Sequence, residues 1–357
     1  MARVLCLIDC LMSGGAERQM SYLCAGLKTR GNEVKLIVFY PNQKFYDDEV
    51  TSAGITIEYN TKGRNPIKRI FEIARAVKEY KPDAVIAYKD GVAMSACLAR
   101  CLTRFRLIVS ERNTTQELTK YERLKFFLYR HANIIVPNSF AQGVFIQKNF
   151  PCLANRTHVI TNMLDLSKFC PGEKSKDDNS TNIVTIARVS PQKNVLNYIR
   201  AIGIVKEKGY EFVCNWYGNS DPDYFLQAKT FARELGVEDR IRFHGPQKDV
   251  VSVYQSGDIF CLPSIYEGFP NALCEAMACG LPVVCSKVSD NHKIVGDEVD
   301  KVVFSPYKPQ EIAESLMKMI DKGKTEIHDI GQNNRKRIAN LCAEDAFLDK
   351  YEALIRD

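Results

Sequence analysis

Short apolar runs alternate with longer amphipathic segments along the chain. VLCLI (4–8), EVKLIVF (33–39), ITIEY (55–59), AVIAY (84–88), RLIVS (106–110) and NIIVP (133–137) read as buried strands. Between several of them lie segments with helical spacing, such as AERQMSYLCAGLKTRG (16–31) and PIKRIFEIARAVKEY (66–80). The pattern stops at CPGEKSKDDNSTN (170–182), a polar, turn-rich run. It restarts with IVTIAR (183–188), FVCNWYG (212–218), IRFHG (241–245), DIFCLP (258–263) and PVVCS (282–286). Strands alternating with helices require right-handed crossovers and a parallel sheet. The pattern therefore predicts two doubly wound α/β domains facing a cleft. We place the first at 1–165, a linker at 166–181 and the second at 182–340. A C-terminal helix over 341–357 is expected to return to the first domain. Ligands of such sheets bind beyond the carboxyl ends of the strands.

Composition narrows the class. The 357 residues are 45% hydrophobic and 26% charged, which suits a globular chain of about two domains. No apolar run approaches the ~18 residues of a spanning helix. Thirteen cysteines lie mostly inside apolar segments and form no C-x-x-C pair. They read as reduced, buried thiols of a cytosolic protein rather than zinc ligands or a redox pair. Net charge is +6, but residues 1–165 carry 24 Lys+Arg against 15 Asp+Glu. That asymmetry points to an anionic partner for the first half: a membrane surface, nucleic acid or a phosphate-bearing substrate.

Three stretches carry candidate chemistry. In SIYEGFPNALCEAMACGLPVV (264–284), a loop joins a strand's carboxyl end to a helix N-terminus. Free N–H groups and the helix dipole there attract phosphate, and Gly268 allows close approach and unusual dihedrals. Glu267 and Glu275 would repel that phosphate, so neighbouring sugar hydroxyls suit them better. One phosphate with a sugar on either side describes a nucleotide-sugar. The plain alternative is an acidic first turn that complements the dipole. In ARVSPQKN (187–194), Arg188 and Lys193 bracket a Ser-Pro turn and suit a diphosphate, unless the turn is simply basic and solvated. In LMSGGAERQ (11–19), Gly14 and Gly15 open the first helix. They permit backbone contact with a ligand, but Gly-Gly alone is a weak signal and an ordinary tight turn explains it more simply.

Taken together, GGAER, ARVSPQKN and EGFPNALCEAMACGLPVV resemble glycosyltransferase family 4, retaining enzymes of the GT-B fold with two Rossmann-like domains. VITNMLDLSKFCP (159–171) resembles the hinge segment of that family. The resemblance implies that Glu275 holds the donor ribose and Glu267 the hydroxyls of the transferred sugar. It implies that the backbone around Gly268, Phe269, Pro270, Asn271 and Ala272 faces the sugar and β-phosphate. Arg188 and Lys193 would bind the diphosphate, Gly14 and Gly15 would approach the donor, and Pro246 and Gln247 would meet the base. Many relatives carry a histidine after the fifth strand. Here IVSERNTT places Arg112 there. Either Arg112 or Asn113 replaces the histidine or the sugar is held differently, and the plain alternative for Arg112 is an acceptor-phosphate contact. The SERN form resembles a bacterial surface-polysaccharide subset.

The expected activity is metal-independent, retaining transfer of a hexose or N-acetylhexosamine from a UDP-sugar to a polyprenyl-diphosphate-linked glycan. No cofactor is expected, because the nucleotide-sugar is a substrate. The five histidines are scattered, and DPD (221–223) reads as a turn and helix cap rather than a metal motif. Lys120, Arg123, Lys125, Phe126 and Phe127 interleave charge with aromatics, as an interfacial helix does, or form a core-facing helix with a solvated basic side. The first reading puts the protein in the cytoplasm, peripheral on the inner face of the plasma membrane. A nucleotide-sugar 2-epimerase and a non-catalytic nucleotide-sugar-binding protein are the alternatives. No motif supports nucleic-acid binding.

Overall fold

Among the described residues, twelve strands form two six-stranded, all-parallel sheets. The structure, a computed structural model, describes residues 1–42, 44–172, 180–296 and 303–356. The chain divides into two units: Met1–Met163 with Glu344–Asp357, and Leu164–Ala343.

In the first unit the strands are β1 (Arg3–Ile8), β2 (Glu33–Val38), β3 (Thr56–Tyr59), β4 (Ala84–Tyr88), β5 (Leu107–Glu111) and β6 (Ile134–Pro137). Their order is β3-β2-β1-β4-β5-β6. Successive side chains fall on opposite faces. Val4, Cys6 and Ile8 join one core while Leu5 and Leu7 join another, so both faces are covered by helices. These helices are α1 (Gly15–Thr29), α2 (Asp47–Ser52), α3 (Pro66–Tyr80), α4 (Asp90–Ala99), α5 (Lys120–Leu128) and α6 (Phe140–Asn149). The C-terminal helix Glu344–Arg356 packs on α1 of this unit, with Phe347, Leu348 and Tyr351 in its core.

The second unit repeats the topology. Its strands are β7 (Thr181–Ile186), β8 (Phe212–Tyr217), β9 (Ile241–His244), β10 (Ile259–Leu262), β11 (Val283–Ser286) and β12 (Val303–Phe304), in the order β12-β11-β10-β7-β8-β9. Between the strands run α7 (Val195–Glu207), α8 (Pro222–Glu234), α9 (Val250–Ser256), α10 (Asn271–Ala278) and α11 (Asn291–Val295). In each sheet the strand order reverses between the first strand and the fourth. That reversal opens a crevice at the carboxyl ends, between β1 and β4 and between β7 and β10. The described part of the expected linker does not behave as one. Phe169, inside it, enters the core of the second unit, as does Leu164 from the end of the expected first domain. Residues 173–179 lie outside the described residues. β12 has too few residues to show any periodicity, and the sequence gives no sign of it.

Candidate active site

The crevice of the second sheet is built by two interlocked loops. After β7 the chain runs through Arg188 to a 3₁₀ turn at Pro191–Lys193. After β10 it runs through Ser264 and Glu267 to α10. The Ile265 N–H donates to the Gln192 carbonyl at 2.8 Å, and Gln192 Nε2 donates to the Tyr266 carbonyl at 3.0 Å. Asn194 sits in the left-handed region at φ 62°, which Asn tolerates better than most residues. Its amide donates to the carbonyls of Pro263 at 3.0 Å and Pro306 at 2.6 Å. Gly218 closes the side of β8 at φ 146°, where a Cβ would collide with the Ala187 carbonyl.

Across this junction Lys193 Nζ meets Glu267 Oε1 at 2.5 Å. Both side chains are mostly buried, and the Glu267 carbonyl also accepts from Ser289 Oγ. Glu275, one turn into α10, is likewise buried and accepts from the Tyr254 hydroxyl of α9 at 2.8 Å. Thus Glu267 faces a cation and Glu275 a phenol. No side chain caps α10, whose N-terminus follows Phe269 and Pro270, both buried. Asn271 and Ala272 are half-buried in its first turn. The buried hydroxyl oxygens of Ser190 and Ser264, one on each loop, have no hydrogen-bond partner among the described residues.

Arg188 is exposed at the end of β7, with no side-chain hydrogen bond or ion pair among the described residues. Gly268 does not adopt positive φ; Gly280, which closes α10, does, at φ 76°. The unusual dihedral expected at Gly268 is therefore absent. Pro246 and Gln247 are exposed beyond β9. Beside them the rings of Tyr217 and His244 stack at 4.4 Å, and burial with nearby Arg242 lowers the imidazole pKa. Asp221 accepts from the Tyr224 N–H at 3.1 Å and caps α8.

In the first unit, Gly14 precedes α1 in an extended conformation, and Gly15 is its first residue. A Cβ on Gly14 would collide with the Glu17 carboxylate. Glu17 is buried and pairs with Lys89 at 2.5 Å, and Asp9 meets the same ammonium at 3.1 Å. This trio spans the ends of β1 and β4, the crevice of the first sheet. Asp9, Cys10 and Glu17 could also hold a metal ion by their spacing, but the Lys89 ammonium already rests on both carboxylates. The sequence reading missed the trio, although Glu17 lies in the quoted GGAER. Its signal was two carboxylates around a glycine-opened helix.

Arg112 is buried and tied within its unit. It donates to Asn162 Oδ1 at 2.7 Å, to the Tyr351 hydroxyl at 3.1 Å and to the Tyr88 hydroxyl. Its guanidinium also lies 4.1 Å from the Tyr88 ring centroid. This is the position of a bracing residue rather than of an open substrate contact.

The helix expected at a membrane is partly a core element, and two assignments are corrected. Phe126 is buried against Tyr129 and Phe150. Lys125 is buried among Glu122 at 2.7 Å, Glu111 at 3.0 Å and Asp90 at 3.5 Å. An ammonium removed from water needs such partners, so Lys125 cannot also reach a lipid surface. Burial, aided by Asp90 and opposed by Lys125, pushes the Glu111 carboxyl up to about 8. Lys120, Tyr121, Arg123, Leu124 and Phe127 remain exposed.

Comparisons with known proteins agree with this architecture. Residues 13–168 match the family model Glycosyltransferase Family 4, and residues 169–337 match Glycosyl transferases group 1. The UDP-Gal:alpha-D-GlcNAc-diphosphoundecaprenol alpha-1,3-galactosyltransferase of Escherichia coli is 27% identical over 323 residues, covering 84% of this chain and 82% of the relative. The N-acetylgalactosamine-N,N'-diacetylbacillosaminyl-diphospho-undecaprenol 4-alpha-N-acetylgalactosaminyltransferase of Campylobacter jejuni is 24% identical over 335 residues, covering 88% and 89%. Among solved structures, Anabaena Alr3699/HepE in complex with UDP and glucose superposes with a TM-score of 0.83 at 19% identity, covering 99% of both chains.

Proposed function

The chain belongs to glycosyltransferase family 4 and has the GT-B fold, and from that premise we propose that it transfers a hexose or N-acetylhexosamine from a UDP-sugar to a lipid-linked glycan in polysaccharide biosynthesis, with retention and without a metal ion. The observation that carries this reading is the Lys193–Glu267 pair at the β7/β10 crevice, with Glu275 one turn into the adjoining helix. Lys193 and the exposed Arg188 supply positive charge for a diphosphate. In this reading Glu267 takes the sugar hydroxyls and Glu275 the ribose. The E. coli and C. jejuni relatives are named for diphosphoundecaprenol-linked acceptors, which supports the acceptor class.

Transfer breaks the bond from the anomeric carbon to the diphosphate oxygen. The acceptor hydroxyl oxygen bonds to that carbon on the same face, its proton passes to the departing diphosphate oxygen, and UDP leaves. Arg188, Lys193 and the N-terminus of α10 stabilise the charge that develops on the diphosphate. No protein nucleophile is assigned. We assign the proposed peripheral membrane contact to the exposed side of α5.

The deciding experiment incubates purified protein with UDP-, GDP- and ADP-sugars, with and without a polyprenyl-diphosphate-linked glycan. Product release only from a UDP-sugar, acceptor-dependent glycan extension and an unchanged anomeric configuration by NMR support the proposal. Conversion of free UDP-sugar to its 2-epimer without acceptor identifies an epimerase instead.

A further inference from the structure

A second basic concavity lies in the first unit, at the opposite end of its sheet. Arg100, Arg104, Phe105, Arg106, His131 and Asn133 line a cavity of about 530 Å³. Arg106 immediately precedes β5 and Asn133 immediately precedes β6, so the cavity opens at the amino ends of these strands. Glu111 and Arg112 lie at the carboxyl end of β5, roughly 17 Å away at ~3.3 Å per residue. The cavity is therefore separate from the crevice described above.

No carboxylate among the described residues compensates its charge. Among the described residues, neither the lining Arg100, Arg104 and Arg106 nor the nearby Arg156 makes an ion pair with a carboxylate. Several of these guanidiniums are nonetheless held in place. Arg106 Nε donates to the Leu354 carbonyl at 2.8 Å, and Arg100 donates to the His131 carbonyl. Arg156 donates to the carbonyls of Arg130 at 3.0 Å and Ala132 at 3.2 Å. Carbonyls fix the orientation of a guanidinium without cancelling its charge, and each Arg keeps donors to spare. The Nε of Arg100 is buried with no hydrogen-bond partner among the described residues. Burial, with Arg156 adding like-charge repulsion, lowers the Arg100 pKa. Arg104 is exposed and makes no side-chain hydrogen bond among the described residues.

Fixed guanidiniums around a concavity match the planar, multi-acceptor geometry of phosphate. We propose that this cavity is an anion site for a phosphate- or pyrophosphate-bearing ligand, distinct from the donor site. It accounts for part of the positive excess of the first half, which the donor chemistry of the second unit does not use. The ligand is either a soluble phosphate ester or the headgroup of an anionic lipid. The chemistry is shared, and the source is separable.

The test titrates inorganic pyrophosphate into the full-length protein by calorimetry, with saturating UDP to fill the donor site and ionic strength held constant with chloride. Saturable binding is expected. Arg104→Glu, at an exposed position without partners, should weaken it by about tenfold or more, the size of losing a charge-assisted contact and gaining a repulsion, while UDP affinity stays unchanged. Circular dichroism checks that the variant is folded. Sedimentation with phosphatidylglycerol vesicles identifies the source: a loss in Arg104→Glu points to a lipid headgroup, and no loss points to a soluble ester. Absence of saturable pyrophosphate binding in the wild type, or equal affinity in Arg104→Glu, overturns the proposal.

Discussion

Lys193 Nζ lies 2.5 Å from Glu267 Oε1, joining the loop after β7 to the loop after β10. The cation assigned to the diphosphate and the carboxylate assigned to the sugar are therefore one ion pair. An ammonium has three donors, so a diphosphate oxygen can share Lys193 with Glu267 rather than displace it. The pair would then set the distance between the phosphate and the transferred sugar.

Removing a preorganised charge from that pair should be costly to turnover. Lys193→Ala and Arg188→Ala should each lower kcat/KM by ~10²-fold or more, about 3 kcal/mol. Arg188 is exposed and without side-chain partners among the described residues, so its variant should keep wild-type stability. Lys193→Ala also leaves Glu267 buried without its cation and should lose some stability. Steady-state kinetics with the active donor checks both variants. Near-wild-type turnover in either would remove that residue from the clamp.

The two glutamates should separate by ligand. Glu275→Gln should weaken UDP itself, and Tyr254→Phe should do so more mildly by freeing the carboxylate from its 2.8 Å hydrogen bond. Glu267→Gln should spare UDP, or tighten it slightly by releasing Lys193, while impairing the intact UDP-sugar. Calorimetric titration of both ligands reads the difference. Equal losses of UDP affinity in the two glutamate variants would mean that the ribose and sugar assignments are wrong.

Strand positions, the repeat of α/β units and the two loop segments that meet at the β7/β10 crevice were legible because their signals are local. A buried strand such as AVIAY announces itself, and ARVSPQKN and EGFPNALCE each lie on one continuous segment. What the sequence hides is partnership across segments. Lys193 and Glu267 are 74 residues apart, and no spacing rule joins them. Arg112 looks like a free cation until Tyr351, 239 residues away, arrives beside it. Lys125 reads as one basic residue among several, but helical phase turns it inward with Phe126, toward three carboxylates supplied by β5, α4 and its own helix.

Arg112 should matter for stability before it matters for chemistry. It braces Asn162, Tyr88 and Tyr351, and two of these partners are buried phenols. Arg112→Ala should cost roughly 2–4 kcal/mol, because several buried groups lose a donor together. Urea unfolding measures that loss. Below the unfolding range, kcat/KM should stay within about fivefold of wild type, too small a change for a lost transition-state contact. A fall of ~10²-fold with unchanged stability would instead make Arg112 part of the chemistry.

Glu111 should make stability depend on pH. Its carboxyl is raised from 4.5 to about 8 in the fold, chiefly by burial. The folded state thus holds this proton more tightly than the unfolded state. The stabilisation is complete below about 4.5, falls as pH rises through about 8 and is level above that. Lys125 is raised above 10.5, so its own contribution lies outside that window. Glu111→Gln mimics the protonated form and should flatten the decline. Melting temperatures between about pH 5 and 8 should therefore fall less in the variant than in the wild type. Parallel curves would show that Glu111 stays ionised throughout.

The proposed membrane contact rests on the side of α5 that the core leaves open. Lys125 and Phe126 are committed inward, but Tyr121, Leu124 and Phe127 are 49%, 51% and 53% exposed. Lys120 and Arg123 flank them, and the Arg130 guanidinium lies 5.3 Å from the Phe127 ring centroid. Each cation near an anionic leaflet contributes ~1 kcal/mol, and the apolar side chains add interfacial burial. No helix among the described residues is long and apolar enough to cross a membrane, so attachment through α5 would be peripheral. Binding to phosphatidylglycerol vesicles should be strong at low salt and largely lost at about 0.5 M, where the Debye length is a few ångströms. The double variant Lys120→Ser/Arg123→Ser should lower sedimentation at low salt. Leu124→Ser/Phe127→Ser should remove whatever binding survives in salt. Donor hydrolysis should persist in both, since these side chains point away from the core and belong to the first unit, whereas Arg188, Lys193, Glu267 and Glu275 belong to the second. Lys125→Ser should instead destabilise the protein, because it strands three carboxylates. If both double variants sediment like the wild type, α5 is ordinary structure, and any vesicle binding must come from another basic surface.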